Sequence, residues 1–506
     1  MSEERTPVLV GVGQVTDKHP ELGARMAPLA LLRAAVERAT DDAGLTRARL
    51  ADLDLVTCVK MFREDLKNPP DALATALGAD RARRVYGPTG GHTPQRFVNA
   101  TAEAIARGEA EFALIAGAEV IDTASRAREA GVDLDWSDPS TRAPDLAGVE
   151  ARGTTKQEHY HGLSIPAFSY PLFENALRGH HGWTLAQHRA ALGALFSRFS
   201  EVAATHPHAW FPVARTPDDI TTVSASNRMV ALPYTKSMNA MNAVNQAAAV
   251  LMTSVAGARR LGIHESRWVY LHGCADAVDH FYLLDRVNYW SSPAIARAGH
   301  EALRMAGVGI DAVRWLDLYS CFPSAVQIAR DALRIAASGA RPLTVTGGLP
   351  FFGGAGNDYA LHAIVTMAER LRARRGDLGL VTGNGWYLTK HSIGIYGAEP
   401  SPNVKTGTTW ARVDPADYQR DIDAEPHPQV AARPEGAARV ETYTVTYERD
   451  GRPTRGIVVG RLADDRRFVA HTPDDRALLE RVATEEFLGA TGTVQPGERT
   501  NLFVPD

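Results

Sequence analysis

Between residues 7 and 398 the apolar positions fall into short runs separated by amphipathic stretches. Residues 7–12 read as a buried strand. Residues 28–42 place Leu31, Leu32, Ala35, Val36 and Ala39 on one helical face, and 53–59 form a second apolar, β-branched run. Helices are predicted over 71–77, after Asn68-Pro-Pro, and over 95–107; a strand is predicted over 112–119. Strands alternating with helices imply a sheet covered on both faces. From 121 to 228 the pattern breaks, and only 183–205 reads as a clear amphipathic helix; so long an interruption implies a lid or inserted subdomain. Residues 234–262 are predicted helical around the small-residue core 246–252, and 268–272 form a strand. Residues 343–345 give a β-like start to a loop holding five glycines (347, 348, 353, 354 and 356), followed by an apolar helix over 359–371. Such glycine density lets backbone approach a ligand, and a helix start just beyond it offers free N–H groups to an oxyanion.

The pattern repeats. Ala43-Gly44 is followed nine residues later by Leu53-Asp-Leu55, and Ala306-Gly307 by Leu316-Asp-Leu318 at the same step. Each copy continues into a glycine loop, a helix and a Gly-acidic turn before an apolar strand, at 90–119 and 353–385. Two copies of one α/β unit predict two similar layered halves about a pseudo-twofold axis. Beyond residue 400 the character changes. Residues 421–438 are rich in Pro, Ala and charge and read as linker. Residues 442–447 alternate strictly, turn at 450–453 and return at 455–460, which is a hairpin. A strand at 467–471, a helix over 474–482 and strands within 492–504 complete a small β-barrel of the OB type. The expected division is 1–120 with 229–262 as the first half, 121–228 inserted, 263–400 as the second half, 401–440 as linker and 441–506 as barrel.

Composition removes several function classes. The 506 residues carry 55 basic and 59 acidic side chains, a net charge of −4 with no run of like charge, so no nucleic-acid partner is expected. No stretch of about 20 apolar residues predicts a membrane span, and the N-terminus lacks the order of a secretion signal. The three cysteines, Cys58, Cys274 and Cys321, are far apart and odd in number, which fits a reducing cytoplasm. The histidines of the insertion (His159, His161, His180, His181 and His188) complete no ligand pattern, so no metal is expected.

Several segments carry a family likeness. Residues 108–119 (Gly-Glu-Ala-Glu-Phe-Ala-Leu-Ile-Ala-Gly-Ala-Glu), Asn245-Gln-Ala-Ala-Ala-Val250, Asp317-Leu-Tyr-Ser-Cys-Phe322 and Gly347-Gly-Leu-Pro-Phe-Phe-Gly353 together resemble the thiolase superfamily over about residues 5–398. The segment 317–322 is closer to the His-Asp-Cys-Phe form of sterol-carrier-type thiolases. With 383–391 and 442–472, the whole chain most resembles actinobacterial thiolase-like proteins that carry an extra C-terminal domain. The resemblance implies a duplicated five-layered α/β fold, a CoA ester as substrate or ligand, no tightly bound cofactor, and a homodimer paired through a first-half strand. It also implies what is missing. Gly90 stands where the family's nucleophilic cysteine belongs, Gly354 at its activating histidine, Val381 at its second cysteine, and Tyr319 at the asparagine of Asn-Glu-Ala-Phe. Loss of such a coupled set costs about six orders of magnitude in rate, roughly 8 kcal/mol of barrier.

Chemistry, if any, must come from other side chains. Cys321 is a candidate nucleophile or proton-transfer thiol, against a small buried core residue. Tyr319 is a candidate acid/base, since a tyrosine stands at this place in thiolase-fold aldolases, against a satisfied core tyrosine. His391 is a candidate base or oxyanion donor, and Asn384 a candidate oxyanion donor. His92, at a helix start, is a candidate neutral imidazole. Gly90, Gly91, Gly353, Gly354, Asn357 and Tyr359 are candidates for shaping the ligand site, with Asn245 from the Asn-Gln-Ala motif. His362, one turn into its helix, is expected to pack beneath. By resemblance, Lys236 and Ser237 are candidates for the nucleotide end of CoA. Three functions follow: an acyl-CoA acyltransferase working through non-standard residues, a retro-aldol lyase on a CoA-linked β-hydroxyacyl chain, or a non-catalytic acyl-CoA or lipid binder.

Overall fold

The apolar runs of the first half become strands and the amphipathic ones helices: β1 (Pro7–Thr16), α1 (Pro28–Asp42), β2 (Leu55–Cys58), α2 (Pro69–Leu77), β3 (Arg83–Tyr86), α3 (Thr93–Arg107) and β4 (Phe112–Val120). The insertion supplies α4 (Ile121–Ala130), α5 (Lys156–Tyr160), α6 (Pro166–His180), α7 (Leu185–Thr205) and α8 (Pro217–Thr221). Then come β5 (Met229–Ala231), β6 (Tyr234–Thr235), β7 (Asn245–Ser254) and α9 (Val255–Arg260). The second half holds β8 (Val269–Val278), α10 (Pro293–Ala306), β9 (Val313–Asp317), α11 (Pro323–Ala332), α12 (Tyr359–Ala373), β10 (Leu378–Gly385) and β11 (Lys390–Gly397). The C-terminal part contains α13 (Pro415–Asp423), β12 (Gly436–Tyr447), β13 (Pro453–Leu462), β14 (Arg467–His471), α14 (Arg476–Thr484), β15 (Thr491–Gln495) and β16 (Leu502–Pro505). This computed structural model describes residues 4–63, 66–136, 140, 142–339, 341–402 and 409–506; parts of the expected segments that fall elsewhere, including 403–408 of the linker, lie outside the described residues.

The duplication is visible in the main sheet, ordered β3-β2-β4-β7-β1-β8-β11-β10-β9. In the first half β2 and β4 are parallel, while β4–β7 and β7–β1 are antiparallel. In the second, β9 and β10 are parallel, while β10–β11 and β11–β8 are antiparallel. The order therefore mirrors itself about the antiparallel β1–β8 contact. Helices α3 and α12 pack on each other and on strands of both halves, forming a central layer, with α1 and α10 on the outer faces. The result is five layers.

Two predicted elements differ. Residues 245–254 form strand β7, not a helix. Alanines 247–249 favour a helix locally, but the segment pairs with β1 on one side and β4 on the other, and its small side chains admit helices to both faces. Residues 343–345 are not a strand. They lie beside β9 in the place β3 takes beside β2, yet the Val345 N–H donates to the buried Asp317 carboxylate (3.0 Å) in place of a sheet partner. Within the expected linker, α13 packs on β8 and α10.

The C-terminal strands close into a barrel. β12 pairs with both β13 and β15, and the circuit runs through β14 and β16. Val445, Val458, Phe468, Val494 and Phe503 fill it, with Leu479 and Val482 of α14. The hairpin β5–β6 extends this sheet through Leu232 N–H to Val445 O, 2.9 Å. Among the described residues, no helix is long and apolar enough to cross a membrane.

Candidate functional site

The duplicated loops converge on one cavity of about 460 Å³. It is walled by Thr89, Gly90 and Gly91 before α3, Gly356 and Asn357 before α12, Tyr319, Cys321 and Phe322 after β9, Asn384 near the end of β10, and Trp386 and Tyr387 between β10 and β11. The insertion adds Ser164, Ile165, Pro166, Ala167 and Tyr170, and the segment before β7 adds Asn239, Ala240 and Asn242. Its volume lies within the ordinary range for small-molecule sites, about 300–1,000 Å³.

The walls are fixed from behind. Asp317, at the end of β9, accepts from the Thr344 hydroxyl (2.9 Å), the Val345 N–H (3.0 Å) and the Tyr359 hydroxyl (3.0 Å), which anchors the start of the glycine stretch. Asn357 joins the halves: it accepts from the Gly90 N–H (2.8 Å) and donates to the Lys60 carbonyl (2.8 Å). The Tyr170 hydroxyl donates to Trp386 O (3.0 Å) and accepts from Asn384 Nδ2 (2.9 Å) and Leu388 N–H (3.2 Å). That turn holds two non-glycine residues at positive φ, Trp386 (56°) and Leu388 (55°). Such conformations persist where their surroundings over-determine them. Arg286, buried, supplies the rest by donating to Leu388 O (2.6 Å), Tyr387 O (2.9 Å) and Thr389 Oγ1 (2.8 Å).

Of the predicted residues, Tyr319, Cys321, Asn384, Gly90, Gly91 and Asn357 are brought together in this cavity. Any β-carbon at position 91 would collide with the Tyr319 hydroxyl, so the tyrosine fills space that only glycine leaves free. A β-carbon at Gly354 would point at Asn242 Oδ1, 3.0 Å away, and thus toward a cavity wall. Gly353 instead packs against the Gln246 side chain.

The other candidates lie elsewhere. Tyr359 is fully buried beneath the site, hydrogen-bonded to Thr346 and Asp317. His92 and His391 lie behind the loops, lining a separate cavity. His391 Nε2 is 3.2 Å from Asp279 and 3.1 Å from Leu388 O. Lys236 is exposed and Ser237 N–H is bonded to Asn227 Oδ1 (2.9 Å); neither lines the cavity. Asn245 is a structural tie to Thr123 and Asp17. His362 is buried against Gln14, 3.0 Å. Among the described residues no three His, Cys, Asp or Glu side chains are grouped to hold a metal ion, and His188 is paired with Glu174 at 2.7 Å.

Among the described residues, no lining side chain is an Asp, Glu, Lys, Arg or His. Burial pushes the Cys321 thiol up to about 12, against weaker opposing hydrogen bonds from Tyr170 and Asn384. The Tyr319 phenol is raised by burial and then by Cys321. The Tyr170 phenol is raised well above its ordinary value by the same two causes. Burial holds the His92 imidazole well below its usual value, with Lys390 and Arg96 adding to the effect. The polar equipment of the cavity is therefore neutral: carboxamides, phenols, a thiol and backbone. Asn384 Oδ1 is buried without a hydrogen-bond partner among the described residues, an acceptor left open toward a ligand donor.

Sequence reasoning missed Tyr170, Trp386, Tyr387, Asn239 and Asn242. Tyr170 comes from α6, whose buried Leu172, Phe173, Ala176 and Leu177 carry a helical period that the internal Pro171 obscures.

Similarity to known proteins points the same way as the geometry. Residues 417–499 match the family described as thiolase-like protein type 1 additional C-terminal domain. The crystal structure of a monomeric SCP2-thiolase-like protein type 1 from Mycobacterium smegmatis is 37% identical, with 100% of each chain covered and a TM-score of 0.86. An Ltp2–ChsH2(DUF35) aldolase shares the fold at 18% identity (TM-score 0.60), over 78% of this chain and 98% of that one. An acetyl-CoA acetyltransferase from Syntrophomonas wolfei does so at 14% identity (TM-score 0.55), over 78% and 99%. No curated protein matches at the sequence level.

Proposed function

Because the chain belongs to the SCP2-thiolase-like proteins of type 1, within the thiolase superfamily, we propose that its cavity binds the acyl and pantetheine end of a CoA ester without running standard thiolase chemistry. One observation carries this reading: among the described residues, the cavity lining holds no group that is ionised near neutral pH and no partner to ionise its thiol. Burial keeps the Cys321 thiol protonated at neutral pH, and the protonated form is a poor nucleophile. Apolar walls from Ile165, Phe322 and Leu349 suit an acyl chain, and the carboxamides of Asn239, Asn242, Asn357 and Asn384 suit the amides of pantetheine. The charged nucleotide then lies outside. Lys236, exposed and three residues before cavity-lining Asn239, is the proposed contact for a phosphate there. The test pairs calorimetric titration of acetyl-CoA and longer acyl-CoAs with an acetoacetyl-CoA thiolysis assay. Saturable binding with thiolysis at the level of the protein-free control is expected. Thiolysis that disappears in Cys321→Ala would instead establish the acyltransferase.

A second reading has its own observation. The Tyr319 hydroxyl occupies the space over Gly91, one residue beyond Gly90, the position that corresponds to the family's nucleophile. A phenol there can protonate or deprotonate a β-hydroxyacyl oxygen, and a protein of the same fold is named an aldolase. Retro-aldol cleavage of a β-hydroxyacyl-CoA that is lost in Tyr319→Phe would support it; cleavage undiminished in that variant would exclude Tyr319.

On quaternary state the reading departs from the expected dimer. The outer edge of β3 is met at its last residue by the chain itself: Tyr86 N–H donates to Asp145 O (2.8 Å) and Ala147 N–H to Tyr86 O (2.9 Å). A first-half edge strand used in this way is not free to pair with a second copy, and the related Mycobacterium smegmatis protein is described as monomeric. We therefore propose a monomer.

A further inference from the structure

On the far side of the 90–92 and 383–385 segments lies a second cavity, of about 450 Å³. Two cations face it, Arg96 from α3 and Lys390 from β11. Its one carboxylate, Asp276, is already taken by Arg412 and by Asn99 Nδ2 (3.0 Å). Among the described residues no carboxylate comes within 4.0 Å of Arg96 or Lys390. The Arg96 guanidinium donates only to Ala147 O (3.3 Å), and the Lys390 ammonium stands 5.6 Å from the centre of the Phe281 ring. Glu150, whose field favours the Lys390 ammonium, accepts the Thr89 N–H (3.0 Å) and lies 4.0 Å from Lys60. Both cations are partly buried, and burial and then Arg96 work against the charge on Lys390. Two partly desolvated cations on one cavity wall, neither in an ion pair, repel each other, and an anion between them offsets that. The remaining wall is largely apolar, with Phe281, Pro88 and Val278.

We propose that this cavity is a second ligand site, distinct from the acyl cavity, for a small organic anion. A carboxylate or phosphate head would be held between Arg96 and Lys390 by charge-assisted hydrogen bonds, with an apolar body against Phe281. The proposal does not depend on whether the first cavity binds a CoA ester. Calorimetric titration of the full chain with octanoate, octyl phosphate and octanol tests it, the two anions distinguishing a carboxylic acid from a phosphorylated ligand. At least one anion is expected to bind at one site per chain and octanol much more weakly. The double variant Arg96→Met/Lys390→Met should bind the anion about tenfold or more weakly. Octanol binding as tightly as both anions overturns the proposal using the unmodified protein alone. It is also overturned if neither anion binds, if a folded double variant binds the anion unchanged, or if saturating acetyl-CoA displaces the anion competitively while the double variant retains it.

Discussion

Cys321 lines the cavity as a neutral thiol, since its surroundings offer amide and phenol groups but no cation. Alkylation reads this directly. Iodoacetamide at pH 8 is expected to leave Cys321 unmodified in the folded chain and to label it in denaturant, as peptide mapping will show; a folded-state rate near that of free cysteine would restore the nucleophile. A different titration governs acid stability. Burial lowers His206 and His208 to about 4 each, the first also under the influence of His208 and Arg370 and the second of Arg38. In the unfolded chain both return to about 6.5, so between pH 6.5 and 4 the unfolded state takes up protons that the folded state refuses. Their contribution is complete above pH 6.5 and is lost as pH falls through about 4. The thermal midpoint should drop steadily across that window, and His206→Gln should flatten the decline; an unchanged slope would remove these histidines from the account.

At the level of elements, helix α6 and the 386–388 turn form a clasp with Tyr170 as its pin. Tyr170→Phe would leave the buried Leu388 N–H and Trp386 O without that partner. A loss of about 2–3 kcal/mol is expected on denaturant unfolding, with weaker CoA-ester binding as Asn384 loses its support; a change below about 0.5 kcal/mol would mean the turn holds itself. Legibility follows the same division. The duplication was readable because each half repeats one helix–strand junction, α1 to β2 and α10 to β9, although Leu53-Asp-Leu55 enters β2 while Leu316-Asp-Leu318 ends β9. Glycines 90, 91 and 356, with Asn357, were readable as site floor because close backbone approach demands glycine. Strand β7 was not, since alanine carries a helical signal and its strand form depends on neighbours more than 100 residues away in sequence. His391 and His92 stand beside the right glycine loops in sequence, but which side of a loop a side chain faces is set by strand register, which sequence position does not reveal.

Across the whole molecule the barrel is tied to the site as well as to the insertion. Arg467 on β14 is fully buried, pairs with Glu441 (2.7 Å) and donates to Leu284 O (2.9 Å) and Arg286 O, while the Arg286 side chain holds the 387–389 turn. The additional domain thus reaches the cavity wall through two arginines. The strip of chain at 145–147 lies along the last residue of β3. In the proposed monomer, with that strip on the edge, assembly and folding are separate equilibria, and no native contact is subject to mass action with a second chain. Unfolding midpoints should coincide over a hundredfold range of protein concentration, and light scattering should give the mass of one chain throughout. A midpoint that climbs with concentration would mean the strip yields its place to a partner's strand. If it does not yield, the protein keeps its stability at low copy number, where a dimeric relative would dissociate.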